Sequence, residues 1–317
     1  MRVVFLDRAT FGPTVDITRL DTPHEWLEFD KTREDQVVER LAGAQIAITN
    51  KVPLRAETLA QLPDLKMISV AATGYDVVDI EACKKQNIRV CNVRGYAINT
   101  VPEHTFALLL GLRRSISAYC DDVKNGEWQK AGQFCFFNHP IKDLSGSRLG
   151  IIGEGAIGQS VARIATAFGM IPMFAAHKGM SGMGPLYTPW DEVIETSDVI
   201  SVHAPLTANT RHCLSTDEFS RMQRKPLILN TSRGGLVDEA ALVEALDKQQ
   251  IAGFGFDVLT TEPPSADNPL MTVLDRPNVL LTPHIAWASE EAMTEVWRQT
   301  IAHVGCFLAG EPRNVLV

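Results

Sequence analysis

From Leu149 to Gly158 the chain reads Leu-Gly-Ile-Ile-Gly-Glu-Gly-Ala-Ile-Gly, an apolar run closing in Gly-x-Gly-x-x-Gly, and a helical pattern follows from Gln159 to Phe168. A strand, a glycine loop and a helix in that order are what a dinucleotide site requires. Gly153 allows the tight strand-to-helix turn. Gly155 has no Cβ, so the backbone can approach a pyrophosphate. Gly158 lets the helix lie close on the strand. Ala156 and Ile157, within the loop, are further cofactor-binding candidates, and the free N–H groups at the helix start face the anion. A glycine turn without a ligand is the bland alternative, and the flanking strand and helix weigh against it.

The rest of the chain alternates in the same way. Strands are expected at Val3–Leu6, 46–49, 65–71 and 88–91, with helices at 35–41, 54–61 and 79–86 between them. After the glycine loop, strands at 171–175, 199–202, 227–230, 254–258 and 279–282 alternate with helices at 188–195, 216–221 and 239–248. Such alternation predicts parallel sheets covered on both faces, with ligands at the carboxyl ends of the strands. The longest helical pattern, 100–118, has Asn99 or Thr100 as its cap and Pro102 in its first turn. Its apolar faces exceed what a surface helix needs, which suggests packing against a second subunit.

At 317 residues, 45% of them hydrophobic and 21% charged, two domains with ample cores are expected. A net charge of −8 without basic runs argues against nucleic acid and anionic membrane surfaces as partners. No apolar stretch reaches the ~18 residues of a membrane span. The six cysteines form no C-x-x-C pair, so a metal site is not expected, and reduced thiols in a cytoplasm are.

Several motifs in order carry a resemblance. Val202-His203-Ala204-Pro205-Leu206-Thr207 is followed by Leu229-Asn230-Thr231-Ser232-Arg233-Gly234-Gly235, by Gly255-Phe256-Asp257-Val258 with Glu262-Pro263, and by Thr282-Pro283-His284-Ile285. With the glycine fingerprint, these resemble the D-isomer-specific 2-hydroxyacid dehydrogenases along essentially the whole chain. Thr49-Asn50-Lys51-Val52-Pro53-Leu54, Cys91 to Tyr96 and Pro283 to Ser289 look most like the glycerate dehydrogenase (hydroxypyruvate reductase) branch. The resemblance implies an α/β fold of two doubly wound parallel-sheet domains. A Rossmann cofactor domain, residues 99–285, is inserted into a flavodoxin-like substrate domain, residues 1–98 and 286–317. The site is expected between them, closed by a hinge.

Reducing a 2-keto acid needs a cation for the carboxylate and the keto oxygen, an acid for the developing alkoxide, and a group that keeps that acid charged. Arg233 suits the first through its forked guanidinium. His284 suits the second, because an imidazole titrates near ~6.5. Glu262 suits the third. The resemblance implies the same three roles. For substrate, Lys51, the backbone N–H groups of Ala72, Thr73 and Gly74, and Trp287 are candidates beside Arg233 and His284. Lys51 reads equally as a solvated loop lysine, and Trp287 equally as a core or interface residue.

For the cofactor, Thr100 is placed at the nicotinamide end, Asn230, Thr231, Ser232 and Asp257 around the nicotinamide, and His203, Ala204 and Pro205 along the adenosine side. His203 reads as a strand-end residue lining that cleft, without a catalytic role. His104, His139, His212 and His303 read as structural or surface residues.

One position departs from the family. An NAD site expects Asp or Glu ~20 residues beyond the fingerprint, to bind the ribose 2′-hydroxyl. Here the chain reads Ala175-Ala176-His177-Lys178, and His177 and Lys178 suit a 2′-phosphate. NAD or NADP, used dually or with NADP preferred, is the expectation. The expected activity is reversible hydride transfer between NAD(P)H and a small 2-keto acid, with hydroxypyruvate or glyoxylate, giving D-glycerate or glycolate, as the expected substrate. The alternative is a nucleotide-sensing binding protein or corepressor on the same fold. A homodimer built on the 100–118 helix is implied by the resemblance and by that helix's apolar surplus.

Overall fold

The computed structural model describes residues 1–317. The chain divides into two compact units: Met1–Ala97 with Trp287–Val317, and Ile98–Ala286. Each is a parallel sheet covered by helices on both faces, so the fold is α/β throughout.

The first unit is built on β1 (Arg2–Phe5), β2 (Glu25–Glu28), β3 (Ile46–Thr49), β4 (Met67–Val70) and β5 (Arg89–Asn92), ordered β2-β1-β3-β4-β5 and all parallel. Side chains alternate across a strand, so successive residues of one apolar run serve opposite faces. Val4, Ala47, Ile68 and Val90 point into one core, whereas Val3, Phe5, Ile46 and Met67 point into the other. The second face is closed by a helix at Glu290–Leu308, where Met293, Val296, Trp297 and Val304 are buried. Trp297 is the largest fully buried side chain, 5.0 Å from Phe5 and 5.6 Å from Phe11 between ring centroids.

Two of these elements lay outside the sequence expectation. Glu25-Trp26-Leu27-Glu28 is an edge strand, paired only with β1, and its charged ends hide the strand pattern. The C-terminal return is a 19-residue helix capped by Ser289, whose side chain accepts from the Ala292 N–H.

In the second unit β6 (Arg148–Ile152), β7 (Ile171–Ala175), β8 (Tyr187–Thr188), β9 (Val199–Val202), β10 (Leu227–Asn230), β11 (Gly253–Phe256) and β12 (Val279–Leu281) are ordered β12-β11-β10-β9-β6-β7-β8, again parallel. The short β8 was also not expected, and the helix beyond it begins at Trp190, not Thr188. β6 lies between β7 and β9, so the strand order reverses there, and its carboxyl end is where such sheets bind ligands.

The 100–118 pattern is not one helix. A helix at Thr100–Arg113 stops where Ser115 turns left-handed, with φ of 49°, and a second runs Ile116–Lys124. The Ser115 hydroxyl donates to the Pro140 carbonyl at 2.7 Å, which holds the break. Neither Asn99 nor Thr100 caps the first helix through its side chain; the Thr100 hydroxyl donates to the Ala286 carbonyl at 3.0 Å instead. The apolar surplus is used inside the unit. Phe106, Leu108, Leu109 and Leu112 are buried in one core with Leu149, Ile151 and Leu229. Gly255 of β11 permits this packing, since a Cβ there would stand 3.1 Å from Leu108 and Leu112.

In the first unit, the loops after β1 and β3 are joined by Asp7. Its carboxylate, 3% exposed, accepts the Asn50 N–H at 3.0 Å and the Lys51 N–H at 2.6 Å. Burial pushes this carboxyl up, and the two N–H groups oppose the shift. Asp7→Ala leaves both donors unsatisfied and should cost about 3 kcal/mol in urea unfolding, with Asp7→Asn, which keeps an acceptor, losing about 1 kcal/mol. Equal stability of the two variants would show that these bonds do not hold the loop.

Candidate active site

Parallel strands bring every carboxyl end to one edge of the sheet. In the second unit that edge carries Gly153–Gly155 after β6, His203–Pro205 after β9, Thr231–Arg233 after β10, Asp257 after β11 and His284 after β12. These residues are scattered over 132 positions of sequence, and the fold lines up the strands that carry them.

His284 and Glu262 stand together. His284 Nδ1 lies 2.5 Å from Glu262 Oε2. The other carboxylate oxygen, Oε1, accepts the Leu259 N–H at 2.8 Å, so both oxygens are engaged. A carboxylate accepts only, so Nδ1 carries the proton and Nε2 is the ring nitrogen left for a substrate oxygen. The imidazole is about a quarter exposed, with 27% of its side chain accessible.

Arg233 enters from the neighbouring loop. Its extended backbone follows β10, and one guanidinium nitrogen, Nη1, donates to the Ser232 carbonyl at 2.8 Å. Asn230 shapes this turn: its amide donates to the Arg233 carbonyl at 2.9 Å and its Oδ1 accepts the Ser232 N–H at 3.1 Å. Gly234 then lets the Leu259–Thr260 backbone pass against the Arg233 loop. A Cβ at Gly234 would fall 1.9 Å from the Leu259 carbonyl carbon. The residue after Arg233 and the backbone three residues before Glu262 thus meet in a contact that only glycine tolerates.

The glycine loop fits a dinucleotide. Gly153 has φ of +112°, and a Cβ there would lie 2.5 Å from the His203 carbonyl oxygen. At Gly158 a Cβ would lie 2.0 Å from the Gly153 oxygen. Gly155 differs: no atom lies within 4 Å of its Cβ position, and its φ of −67° suits any residue. Its freedom from side chain serves no internal packing, which is what close approach of a pyrophosphate would require. Ala156 and Ile157 form the first turn of the helix Ala156–Ala167. Beside the loop, His203 Nε2 lies 2.7 Å from the Ser201 hydroxyl, whereas its buried Nδ1 has no protein partner. Desolvation pushes this imidazole down to about 4.

Ala204 is buried and Pro205 exposed beside the loop, and the Ser232 hydroxyl donates to the Ala204 carbonyl at 2.9 Å. The Thr231 hydroxyl lies 2.9 Å from that of Thr105. Asp257, 1% exposed, spends its carboxylate on the Thr282 hydroxyl and the N–H groups of Ile285 and Ala286. His177 and Lys178 have acidic neighbours that the sequence reading missed. Lys178 Nζ lies 2.5 Å from the buried Glu218, and His177 Nε2 lies 3.6 Å from Glu154. Glu154 was legible as the variable residue of the fingerprint, but Glu218 lies 40 positions away and has no local signal.

In the first unit, Lys51 follows β3, and Ala72, Thr73 and Gly74 follow the adjacent β4. The Thr73 hydroxyl donates to the Val93 carbonyl at 2.9 Å, and its own carbonyl accepts from Asn92 at 2.7 Å. Trp287 packs edge-on against Phe11 and Tyr96, with centroids 6.2 and 6.3 Å away.

Residues 106–286 match the model of the D-isomer specific 2-hydroxyacid dehydrogenase, NAD binding domain. The chain is 48% identical to a glycerate dehydrogenase of Methylorubrum extorquens over 99% of its length and 98% of the relative's. It is 34% identical to a hydroxypyruvate reductase of Blautia hydrogenotrophica, covering 100% of this chain and 99% of that one. A solved acyclic imino acid reductase in complex with NADPH and D-Arg superposes with a TM-score of 0.82 at 29% identity, over the full length of both chains.

The His203 shift has a testable sign. The unfolded imidazole takes a proton near ~6.5, whereas the folded one stays neutral down to about 4. The unfolded state therefore binds more protons between those values. The contribution is present above pH ~6.5 and is lost as pH falls toward 4, by at most roughly 1.4 kcal/mol per pH unit. Denaturant titrations should show a shallower loss between pH 6.5 and 4 for His203→Gln. Parallel curves would mean that His203 titrates normally in the fold.

Proposed function

The chain belongs to the D-isomer-specific 2-hydroxyacid dehydrogenase family, and from that premise we propose that it reduces hydroxypyruvate, and more slowly glyoxylate, to D-glycerate and glycolate. Membership makes it an oxidoreductase acting on CH–OH donors with a nicotinamide cofactor. The observation that carries the catalytic reading is the His284–Glu262 pair at the carboxyl-end edge that also bears Arg233 and the glycine loop.

The nicotinamide, when bound, supplies the hydride to the keto carbon. Everything else falls to the protein's own groups. Arg233 holds the substrate carboxylate and polarises the keto oxygen through its fork. His284 delivers the proton from Nε2 to the forming alkoxide, while Nδ1–H stays on Glu262. Glu262 accepts the Nδ1–H and fixes the ring throughout. To the first unit the proposal assigns carboxylate binding at Lys51 and at the Ala72, Thr73 and Gly74 backbone, with Trp287 bordering the substrate. Thr100, Asn230, Thr231, Ser232 and Asp257 serve the nicotinamide end, and His203, Ala204 and Pro205 the adenosine side.

We assign use of both NADH and NADPH. No acid at 175–178 repels a 2′-phosphate. The attraction offered by Lys178 and His177 is weakened by Glu218 and Glu154. Self-association is assigned to the segment after the helix break, where Phe134 and Phe137 are 90% and 80% exposed and Trp128 is 47% exposed. No helix is long and apolar enough to cross a membrane. All six cysteines are unpaired, which suits a reducing cytoplasm.

Loss of reduced-nicotinamide absorbance with hydroxypyruvate, glyoxylate and pyruvate tests the reading. Hydroxypyruvate should give the highest kcat/KM; no turnover with any of the three overturns it. His284→Ala should lower kcat by about 10²- to 10⁴-fold, and Arg233→Ala should both lower kcat and raise KM. The two reduced cofactors should agree in kcat/KM within about tenfold, a difference of roughly 1.4 kcal/mol. A hundredfold preference would refute dual use. Light scattering should report a dimer that Phe134→Ser with Phe137→Ser converts to monomer, and an unchanged mass would place the interface elsewhere.

A further inference from the structure

His284 sits on an unusual backbone. Its φ of +56° is left-handed, a conformation that L side chains with a Cβ disfavour. Nothing in the His284–Glu262 pair enforces it, because that bond ties only the ring. The enforcing contacts come from below. Asp257 accepts the Ile285 N–H at 2.9 Å on Oδ1 and the Ala286 N–H at 2.8 Å on Oδ2, and its carbonyl accepts the His284 N–H at 2.8 Å. Three consecutive backbone N–H groups of the histidine loop thus converge on one residue.

That carboxylate is itself held. The Thr282 hydroxyl lies 2.6 Å from Asp257 Oδ1 and can only donate to it. His104 Nε2 lies 2.9 Å from the same hydroxyl. The single hydroxyl hydrogen is spent on the carboxylate, so His104 Nε2 is the donor in this second bond. The order is His104 N–H to Thr282 O–H to Asp257 carboxylate, a directed chain that ends under the His284 backbone. His104 Nε2 also lies 3.6 Å from Oδ1 itself. His104 and Thr100 are four residues apart on one helix, hence on one face. Thr100 reaches the Ala286 carbonyl, so this helix face grips both ends of the Thr282–Ala286 segment.

We propose that His104, acting through Thr282 and Asp257, is a positioning residue for the proton-donating imidazole of His284. It touches neither substrate nor cofactor in this role. It fixes the left-handed turn from which the imidazole reaches Glu262 on one side and offers Nε2 on the other. Without its donor, Thr282 keeps only its bond to Asp257, the chain loses the restraint that orients that hydroxyl, and the loop can relax toward ordinary backbone geometry. The imidazole would then spend less time aligned. The inference rests on reading His284 as the acid.

The test compares side chains of different reach. Asn at 104 is too short to place a donor at the Nε2 position, whereas Gln places its amide near it. His104→Asn should lower kcat with hydroxypyruvate by about 10- to 100-fold, while KM for the reduced cofactor moves less than about twofold. His104→Gln should recover to within about threefold of the parent. Thr282→Val should reproduce the loss and Thr282→Ser should not; this pair decides the matter if His104→Asn does not fold. In a His284→Ala background, His104→Asn should cost less than about twofold further, because the group it positions is gone. Unchanged kcat in His104→Asn, or a loss that persists in full in the His284→Ala background, overturns the proposal. If His284→Ala is inactive and His104→Asn is fully active, only this inference falls. Near-normal activity of His284→Ala would instead sink the reading beneath it.

Discussion

Parallel strands leave backbone N–H groups unpaired just beyond their carboxyl ends, where the ladder stops and the loops begin. Buried, such groups are costly unless an acceptor meets them. This protein meets them with aspartate in both units. Asp7, after β1, takes the N–H groups of Asn50 and Lys51 in the loop after β3. Asp257, after β11, takes those of Ile285 and Ala286 in the loop after β12. In each case a carboxylate leaving one strand organises the loop leaving its neighbour. Lys51 in the first unit and His284 in the second, the residues to which the proposal gives substrate binding and proton delivery, stand on those organised loops.

Glycine supplies the complementary freedom. Where an aspartate draws a loop in, a glycine elsewhere removes the Cβ that would block approach. Gly234 admits the Leu259–Thr260 backbone beside the Arg233 turn, and Leu259 in turn donates its N–H to Glu262. Gly153 and Gly158 do the same for the fingerprint helix. Gly155 alone among these has no internal neighbour to accommodate, which sets it apart as a position shaped for something other than the chain.

The charges at the cofactor edge are arranged in opposed pairs. Lys178 meets Glu218 and His177 approaches Glu154, so the end of β7 is neither an acidic site nor a freely basic one. At the reacting end the same logic produces a different result. Glu262 faces one ring nitrogen of His284 and leaves the other available, the arrangement that the proposed proton delivery calls for.

The amino-acid sequence by itself determined the α/β class, most strands of both sheets and the turn at the fingerprint. These follow from period-2 and continuous apolar runs and from glycine spacing, all local properties. It did not reveal Glu25–Glu28 or Tyr187–Thr188, whose short or charged runs carry no strand pattern. It read 100–118 as one helix with a spare apolar face, because the left-handed Ser115 and the burial of Phe106 and Leu109 inside their own unit depend on distant residues. Arg233, Glu262 and His284 were picked out by chemistry and resemblance, since nothing in their spacing of 29 and 22 positions brings them near one another. Only the tertiary structure decided that Lys178 is paired with Glu218, that Gly234 makes room for Leu259, and that His104 reaches Thr282, 178 positions away. The reason is physical: a hydrogen bond or a steric gap depends on separation in space, and a parallel sheet brings its strand ends together in an order that the chain does not spell out.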